Sequence, residues 1–278
     1  MMLGVRAHDF GKMPIEELAK KISEKGFTSI QLALSKAVAG IDASLGKLSP
    51  GLARYIGSAL SDYGIRIAVL GCYINPVHPD KEVRKRELAR FKEHIRFARD
   101  FGCSIVATET GSMNADCSYS PLNASEEAFE MIVESVEELV HEAEKFGVFV
   151  CIEGVTKHTI STPQKMRRIL DTVQSNNLQV LFDPANLVPE DNIESQQLIV
   201  KQAFELFGER ILIMHAKDFV LEGDVKKSVE IGTGIMDFEV ILKNVKELKP
   251  YLDILIEDSK PELMDKGAKF IREVYSRV

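Results

Sequence analysis

No run of apolar residues in this sequence reaches the roughly 20 positions that a bilayer-spanning helix needs. The first residues, Met1-Met2-Leu3-Gly4-Val5-Arg6, carry no apolar core of a secretion signal. Both absences lead us to expect a soluble, cytoplasmic protein with no membrane partner. Cysteine is scarce: Cys72, Cys103, Cys117 and Cys151 form no C-x-x-C pair and no zinc-finger spacing with histidine. Three of them sit in or beside apolar runs, so reduced and mostly buried thiols are expected. Positive charge is also short. Lys and Arg number 35 against 42 Asp and Glu, for a formal net charge of −7. A nucleic-acid binder more often shows a basic excess or stripe, so no nucleic-acid partner is expected. Finally, the first apolar run leads into Asp9-Phe10-Gly11-Lys12-Met13, which is not the glycine-rich phosphate loop of an open dinucleotide-binding sheet.

What the chain does contain is one alternation repeated from end to end. Short apolar runs, often β-branched, read as strands at Leu3–His8, Thr28–Leu34, Ile65–Leu70, Cys103–Glu109, Val148–Glu153, Leu178–Asp183, Arg210–His215 and Leu252–Glu257. Longer amphipathic segments read as helices at Pro14–Lys25, Pro50–Tyr63, Lys81–Phe101, Ser125–Phe146, Thr162–Gln174 and Phe238–Leu248. Two more are expected, one ending at Gly208 and one starting at Pro261, and a long loop is expected after the seventh strand. Gly26, Gly64, Gly102 and Gly147 stand where helices should stop. A helix between each pair of strands makes the strands parallel and the crossovers right-handed. Eight such units in 278 residues, with no break in composition, predict an α/β fold: a single (β/α)8 TIM barrel domain over 1–278.

Strands inside such a barrel are covered on both faces and should be nearly pure apolar. Most of them are until the last residue, and four consecutive ones end in Glu153, Asp183, His215 and Glu257; the fourth strand ends in Glu109. In a barrel these ends meet at one mouth, where active sites of the fold lie. Crowded carboxylates raise one another's pKa, and a bound cation removes that conflict. Three carboxylates and an imidazole form a hard, oxygen-rich ligand set. It suits one divalent metal ion, with manganese, magnesium or cobalt favoured over a thiolate-type zinc site. A metal holding adjacent carbonyl and hydroxyl oxygens lowers the cost of an enediolate.

At these residues the chain resembles the xylose isomerase-like TIM barrel superfamily. That group includes sugar isomerases, ketose 3-epimerases, inosose dehydratases and apurinic endonucleases. The resemblance rests on Ile152-Glu153-Gly154, Phe182-Asp183-Pro184-Ala185-Asn186, His215-Ala216-Lys217-Asp218, Gly232-Thr233-Gly234-Ile235-Met236-Asp237-Phe238 and Ile256-Glu257-Asp258, in that order. It implies a metal held by Glu153, Asp183, His215 and Glu257, with Glu153 and Glu257 also serving as the catalytic acid/base pair. Departures from the family pattern are Asn186, where many members have His, and Gln31, where Glu is common.

Further residues are expected to touch substrate: His8, Glu109, His158, Asn186 and Lys217. For Lys217 the alternative is a rim salt bridge to Asp218, and for His158 a solvated loop position. His94 and His141 lie in charged helices and are read as solvated. His78 lies in a loop positioned to cover the site, and the Gly232–Gly234 loop lies where barrels often hold phosphate. The function expected is a metal-dependent isomerase or epimerase acting on a small sugar or sugar phosphate; homo-oligomer formation is left open. The alternatives are a dehydratase-type lyase, an apurinic endonuclease-type phosphodiesterase and a non-catalytic sugar-binding barrel. Only six histidines and the acidic balance speak against the phosphodiesterase.

Overall fold

A computed structural model describes all 278 residues, Met1–Val278. Eight strands close into a parallel barrel: β1 (Met2–Arg6), β2 (Ser29–Leu32), β3 (Arg66–Gly71), β4 (Ile105–Glu109), β5 (Phe149–Glu153), β6 (Leu178–Phe182), β7 (Ile211–Ala216) and, after a hairpin, β10 (Asp253–Ile256). Their order around the barrel is β1-β10-β7-β6-β5-β4-β3-β2. The α/β TIM barrel read from the alternation is therefore the fold. No helix is long and apolar enough to cross a membrane.

The main helices are α1 (Ile15–Glu24), α3 (Pro50–Ser61), α4 (Lys81–Phe97), α5 (Glu126–Phe146), α6 (Pro163–Val173), α8 (Gln196–Phe207), α9 (Phe238–Leu248) and α10 (Met264–Arg277). Single helical turns, α2 (Leu34–Ala37) and α7 (Pro184–Leu187), follow β2 and β6. Local chemistry sets many boundaries. Ser49, Asp80, Ser125, Thr162 and Asp237 accept hydrogen bonds from backbone N–H groups of the turns they open. The four glycines expected to stop helices, Gly26, Gly64, Gly102 and Gly147, all have positive φ, a conformation that costs glycine little.

Two apolar clusters form. A 72-residue cluster fills the space between sheet and helices. A separate cluster of Ala68, Val69, Ala107, Cys151, Leu181, Ile213 and Leu255 fills the barrel interior. Small residues are needed there: a Cβ on Gly4 would lie 2.2 Å from the carbonyl oxygen of Ser29.

The structure corrects several expectations. The long loop after the seventh strand folds as an antiparallel hairpin, β8 (Asp218–Glu222) and β9 (Val225–Val229). Its two-residue turn begins with Gly223, at positive φ. Strand β2 is shorter than Thr28–Leu34 because Leu34 already belongs to a helical turn. The helix expected to end at Gly208 does so, α8 closing at Phe207 with Gly208 leading into a 3-10 turn. The last helix begins at Met264, three residues after Pro261. His94 is not solvated: it is 3 % exposed. It lies beside the buried Phe91 and Ile95 on α4, at the edge of the stripe that faces the barrel.

Candidate functional site

Side chains alternate between the two faces of a strand, so a residue two positions beyond an interior residue also faces the barrel axis. Ala107, Cys151, Leu181, Ile213 and Leu255 fill the interior. Two residues further on stand Glu109, Glu153, Asp183, His215 and Glu257. The same strand phase that packs the interior thus carries all five to the mouth. Glu109 and Glu153 sit side by side in register. Glu153, Asp183, His215 and Glu257 are buried, Asp183 and His215 at 1 % exposure.

One ligand atom each from Glu153, Asp183 and His215 lies within 4.8 Å of the others. His215 Nδ1 is 3.8 Å from Glu153 Oε2 and 3.9 Å from Asp183 Oδ2. Glu257 adjoins this group, with Oε2 at 2.5 Å from the same nitrogen. Asp183 Oδ2, His215 Nδ1 and Glu257 Oε2 are buried without a directed hydrogen bond, apart from these ionic contacts and one from Lys217. Buried polar atoms normally find partners. Orphaned oxygens and a ring nitrogen turned toward one point are the donor set that a hard divalent cation takes, so the residues fit such an ion.

Charge supports the same fit. Asp9, Glu109, Glu153, Asp183, Glu257 and Asp258 crowd the mouth, and Arg6 and Lys217 are the cations bonded among them. Each ligand candidate is also held from behind. Asn186 donates to Glu153 Oε1 at 2.6 Å. The backbone N–H of Asn186 donates to Asp183 Oδ1, which thereby caps α7. Arg6 and Lys217 both reach Glu257 Oε1. Gln31 Oε1 lies 2.6 Å from His215 Nε2.

These surroundings drive the two glutamates apart. Burial pushes Glu153 up to about 7, partly offset by the nearby His215 ring, which favours the ionised carboxylate. Burial acts on Glu257 in the same sense. There His215, Lys217 and Arg6 overcome it and hold the carboxyl well below its usual range. Burial opposes charge on His215, but Glu257 and Glu153 raise it to about 10.

Of the other residues read as substrate contacts, Asn186 and Lys217 lie against the cluster. Lys217 pairs with Asp183, Glu257 and Asp258 rather than with Asp218. The Asp218 carboxylate instead accepts from the backbone N–H groups of Phe219, Gly232, Gly234 and Met236. Two amides of the loop read as a phosphate holder, those of Gly232 and Gly234, are therefore committed to Asp218. His158 is buried rather than solvated, with Nδ1 3.5 Å from Glu109 Oε2. His8 is half-buried and meets Tyr73 edge-on, at 6.3 Å between ring centres. Burial and the nearby Arg6 lower its pKa to about 4. His78 lines an open cleft of about 420 Å³ together with Lys36, Tyr73 and Glu109.

Sequence reasoning did not single out Arg6 or Tyr73, and noted Gln31 only as a departure. The signal was present. Arg6 is two residues past the interior Gly4, Gln31 two past the buried Ser29, and Tyr73 follows Val69 and Gly71 in the same phase.

Comparison with known proteins agrees with this architecture. No curated protein matches the sequence. Solved structures similar to it include a D-psicose 3-epimerase with D-tagatose from Clostridium cellulolyticum H10 (TM-score 0.75, 15% identity, 99% of each chain). A 3-keto-D-glucoside 4-epimerase from E. coli has TM-score 0.75 and 16% identity, over 98% of this chain and 99% of that one. A xylose isomerase-like TIM barrel protein from Mycobacterium smegmatis in complex with magnesium has TM-score 0.74 and 18% identity, over 100% of this chain and 96% of that one. At such identities the likeness is one of fold. The model of the family described as "Xylose isomerase-like TIM barrel" matches residues 19–274, and the chain belongs to that family.

Proposed function

We propose that this protein is a divalent-metal-dependent isomerase or epimerase of a sugar or sugar phosphate, moving a proton at a carbon next to a carbonyl. The observation that carries the reading is the pair Glu153 and Glu257, buried at one mouth in opposite electrostatic settings. Carboxyls whose surroundings push their pKa values apart take opposite roles in proton transfer. Arg6 and Lys217 keep Glu257 ionised, ready to accept a proton. Burial favours a proton on Glu153, which makes it the group that returns one.

Glu153, Asp183, His215 and Glu257 would hold the ion, which when bound stabilises negative charge on the substrate oxygens as the proton leaves. Manganese is the first choice, before magnesium, cobalt or zinc: three carboxylates suit a hard cation, and the imidazole is a donor that a transition metal takes better than magnesium does. Asn186, Lys217, His8, His158 and Glu109 surround the same mouth and would orient sugar hydroxyls. The likeness to ketose and ketoglucoside epimerases supports this reaction class.

The test incubates the protein with Mn²⁺ and a panel of ketoses and aldoses in D₂O. Deuterium should appear at the carbon next to the carbonyl, and exchange should stop when the metal is chelated. Glu153→Gln and Glu257→Gln should each cut turnover by roughly 10²–10⁴-fold, the usual worth of a general acid–base group. Exchange with loss of water would replace this reading by a dehydratase. Cleavage of abasic DNA without exchange into any sugar would replace it by a phosphodiesterase.

A further inference from the structure

Three of the ligand candidates are steadied by groups close to them in the mouth: Glu153 by Asn186, Asp183 by the turn it caps, Glu257 by Arg6 and Lys217. His215 is held differently. Its partner, Gln31, comes from β2, which is separated from β7 by β1 and β10 around the barrel. The Gln31 side chain is 1 % exposed and meets His215 across the mouth, Oε1 to Nε2, at 2.6 Å. Its amide nitrogen donates to the Tyr73 hydroxyl. Gly71 leaves the space: a Cβ there would lie 3.3 Å from the Tyr73 ring and 3.6 Å from the Gln31 amide nitrogen.

We infer that Gln31 is a positioning residue that selects Nδ1 as the atom through which His215 binds a divalent cation. A neutral imidazole carries one N–H, and the bond made by one nitrogen decides which atom is free for a metal. A carboxamide oxygen can only accept. Facing Nε2, it requires the hydrogen there, so in the neutral, metal-binding form of the ring it is the Nδ1 lone pair that is directed at Glu153, Asp183 and Glu257. The opposite amide orientation would force the hydrogen onto Nδ1, into the ligand cluster. An amide does this without adding charge to a mouth already rich in carboxylates. The relay has a consequence at its other end. Because the Tyr73 hydroxyl accepts from Gln31, its own hydrogen is left to be donated elsewhere in the mouth.

This inference rests on the mouth being a metal centre, and its test separates the two. Protein labelled with ¹⁵N and loaded with Zn²⁺, which is diamagnetic, is examined by NMR alongside competition titrations with Zn²⁺ and Mn²⁺. The expected result for the parent is a metal-shifted Nδ1 and a slowly exchanging Nε2–H on His215, with a nuclear Overhauser contact to the Gln31 amide. Gln31→Leu should lose about 10–100-fold in metal affinity, the usual cost of removing the partner of a ligating histidine. Gln31→Glu should keep the Nε2–H and an affinity at or above that of the parent. Coordination through Nε2 overturns the inference. So does an affinity in folded Gln31→Leu within about twofold of the parent, well short of that usual cost. Should Gln31→Leu fail to fold, the parent and Gln31→Glu spectra decide the question. A parent that binds neither ion overturns the metal centre and this inference with it. Metal binding through Nδ1 without sugar exchange overturns only the proposed activity.

Discussion

Burial alone and burial among carboxylates drive two histidines of this chain in opposite directions. His215 is surrounded by acids and is raised to about 10. His94 is packed on α4 with a backbone carbonyl, Arg90 O, as its polar contact, and desolvation lowers it to about 4. The latter has a consequence for acid stability. Between about 4 and the ordinary 6.5, the unfolded chain holds a proton on His94 that the native protein does not. Stability therefore rises with pH across this window and is lost as pH falls through it. His94→Gln removes that contribution. Its urea midpoint should fall less than the parent's when pH is lowered from 6.5 toward 4, whatever its stability at neutral pH. Equal slopes in parent and variant would show that His94 is not buried neutral. The burial was hard to read because α4 is dense in Lys, Arg and Glu, which hides the narrow apolar stripe of Leu88, Phe91 and Ile95. Strand ends were easier. A charged residue closing an otherwise apolar run has no place in a packed barrel except the mouth, and that logic found Glu153, Asp183, His215 and Glu257. Of the first three strands only the first, read as closing on His8, gave such a contrast, and His8 lies in a 3-10 turn past the strand's true end at Arg6. Arg6, Gln31 and Tyr73 are not metal-ligand types in a recognised spacing, and only the strand phase marks them.

The hairpin β8–β9 and the loop behind it form an element held by one carboxylate. Asp218 Oδ1 accepts from the N–H groups of Phe219 and Met236, and Oδ2 from those of Gly232 and Gly234. Both oxygens are fully used as acceptors, so neither can become an amide NH₂. Gly234 is required for the approach, since a Cβ there would lie 2.1 Å from Asp218 Oδ1. Leaving buried N–H donors unpaired costs about 1–3 kcal/mol each. Asp218→Asn, which sets a donor against two donors, should lower unfolding stability by about 2 kcal/mol or more on that scale. The check is a urea titration in which the midpoint falls while the slope is kept. A midpoint equal to the parent's would mean that the loop does not depend on this carboxylate. The hairpin escaped sequence reading because Lys226 and Lys227 break the apolar alternation of its second strand, leaving Gly223-Asp224 as its clearest mark. Barrel elements were legible for the converse reason: apolar runs recur at every unit, and helix-stopping glycines at the first four.

Closing the barrel brings acids from separate parts of the chain into one buried space, and the energetic cost of that falls on the whole molecule. Arg6 and Lys217 offset part of it, yet Glu153 is still driven up to about 7, with Glu257 and Asp183 adding to the effect of burial. Anything that binds this mouth in the native state and not in the unfolded chain stabilises the fold by mass action. At a free metal concentration of about 100 times Kd the gain is about 2.7 kcal/mol. For a chain of this size, each kcal/mol moves Tm by about 2–4 °C. Thermal unfolding followed by circular dichroism at fixed pH should therefore show Tm roughly 5–10 °C higher with excess Mn²⁺ than with EDTA. Surface binding would also shift Tm, so the control lies in the mouth itself. Asp183→Ala and His215→Ala remove candidate ligands while leaving the exposed acids untouched. Asp183 also caps α7, so that variant should start from a lower Tm, and the quantity to compare is the shift produced by metal. In both variants it should shrink to a small fraction of the parent's. A parent with no shift, or variants that keep the full one, would remove the metal from the mouth of this barrel.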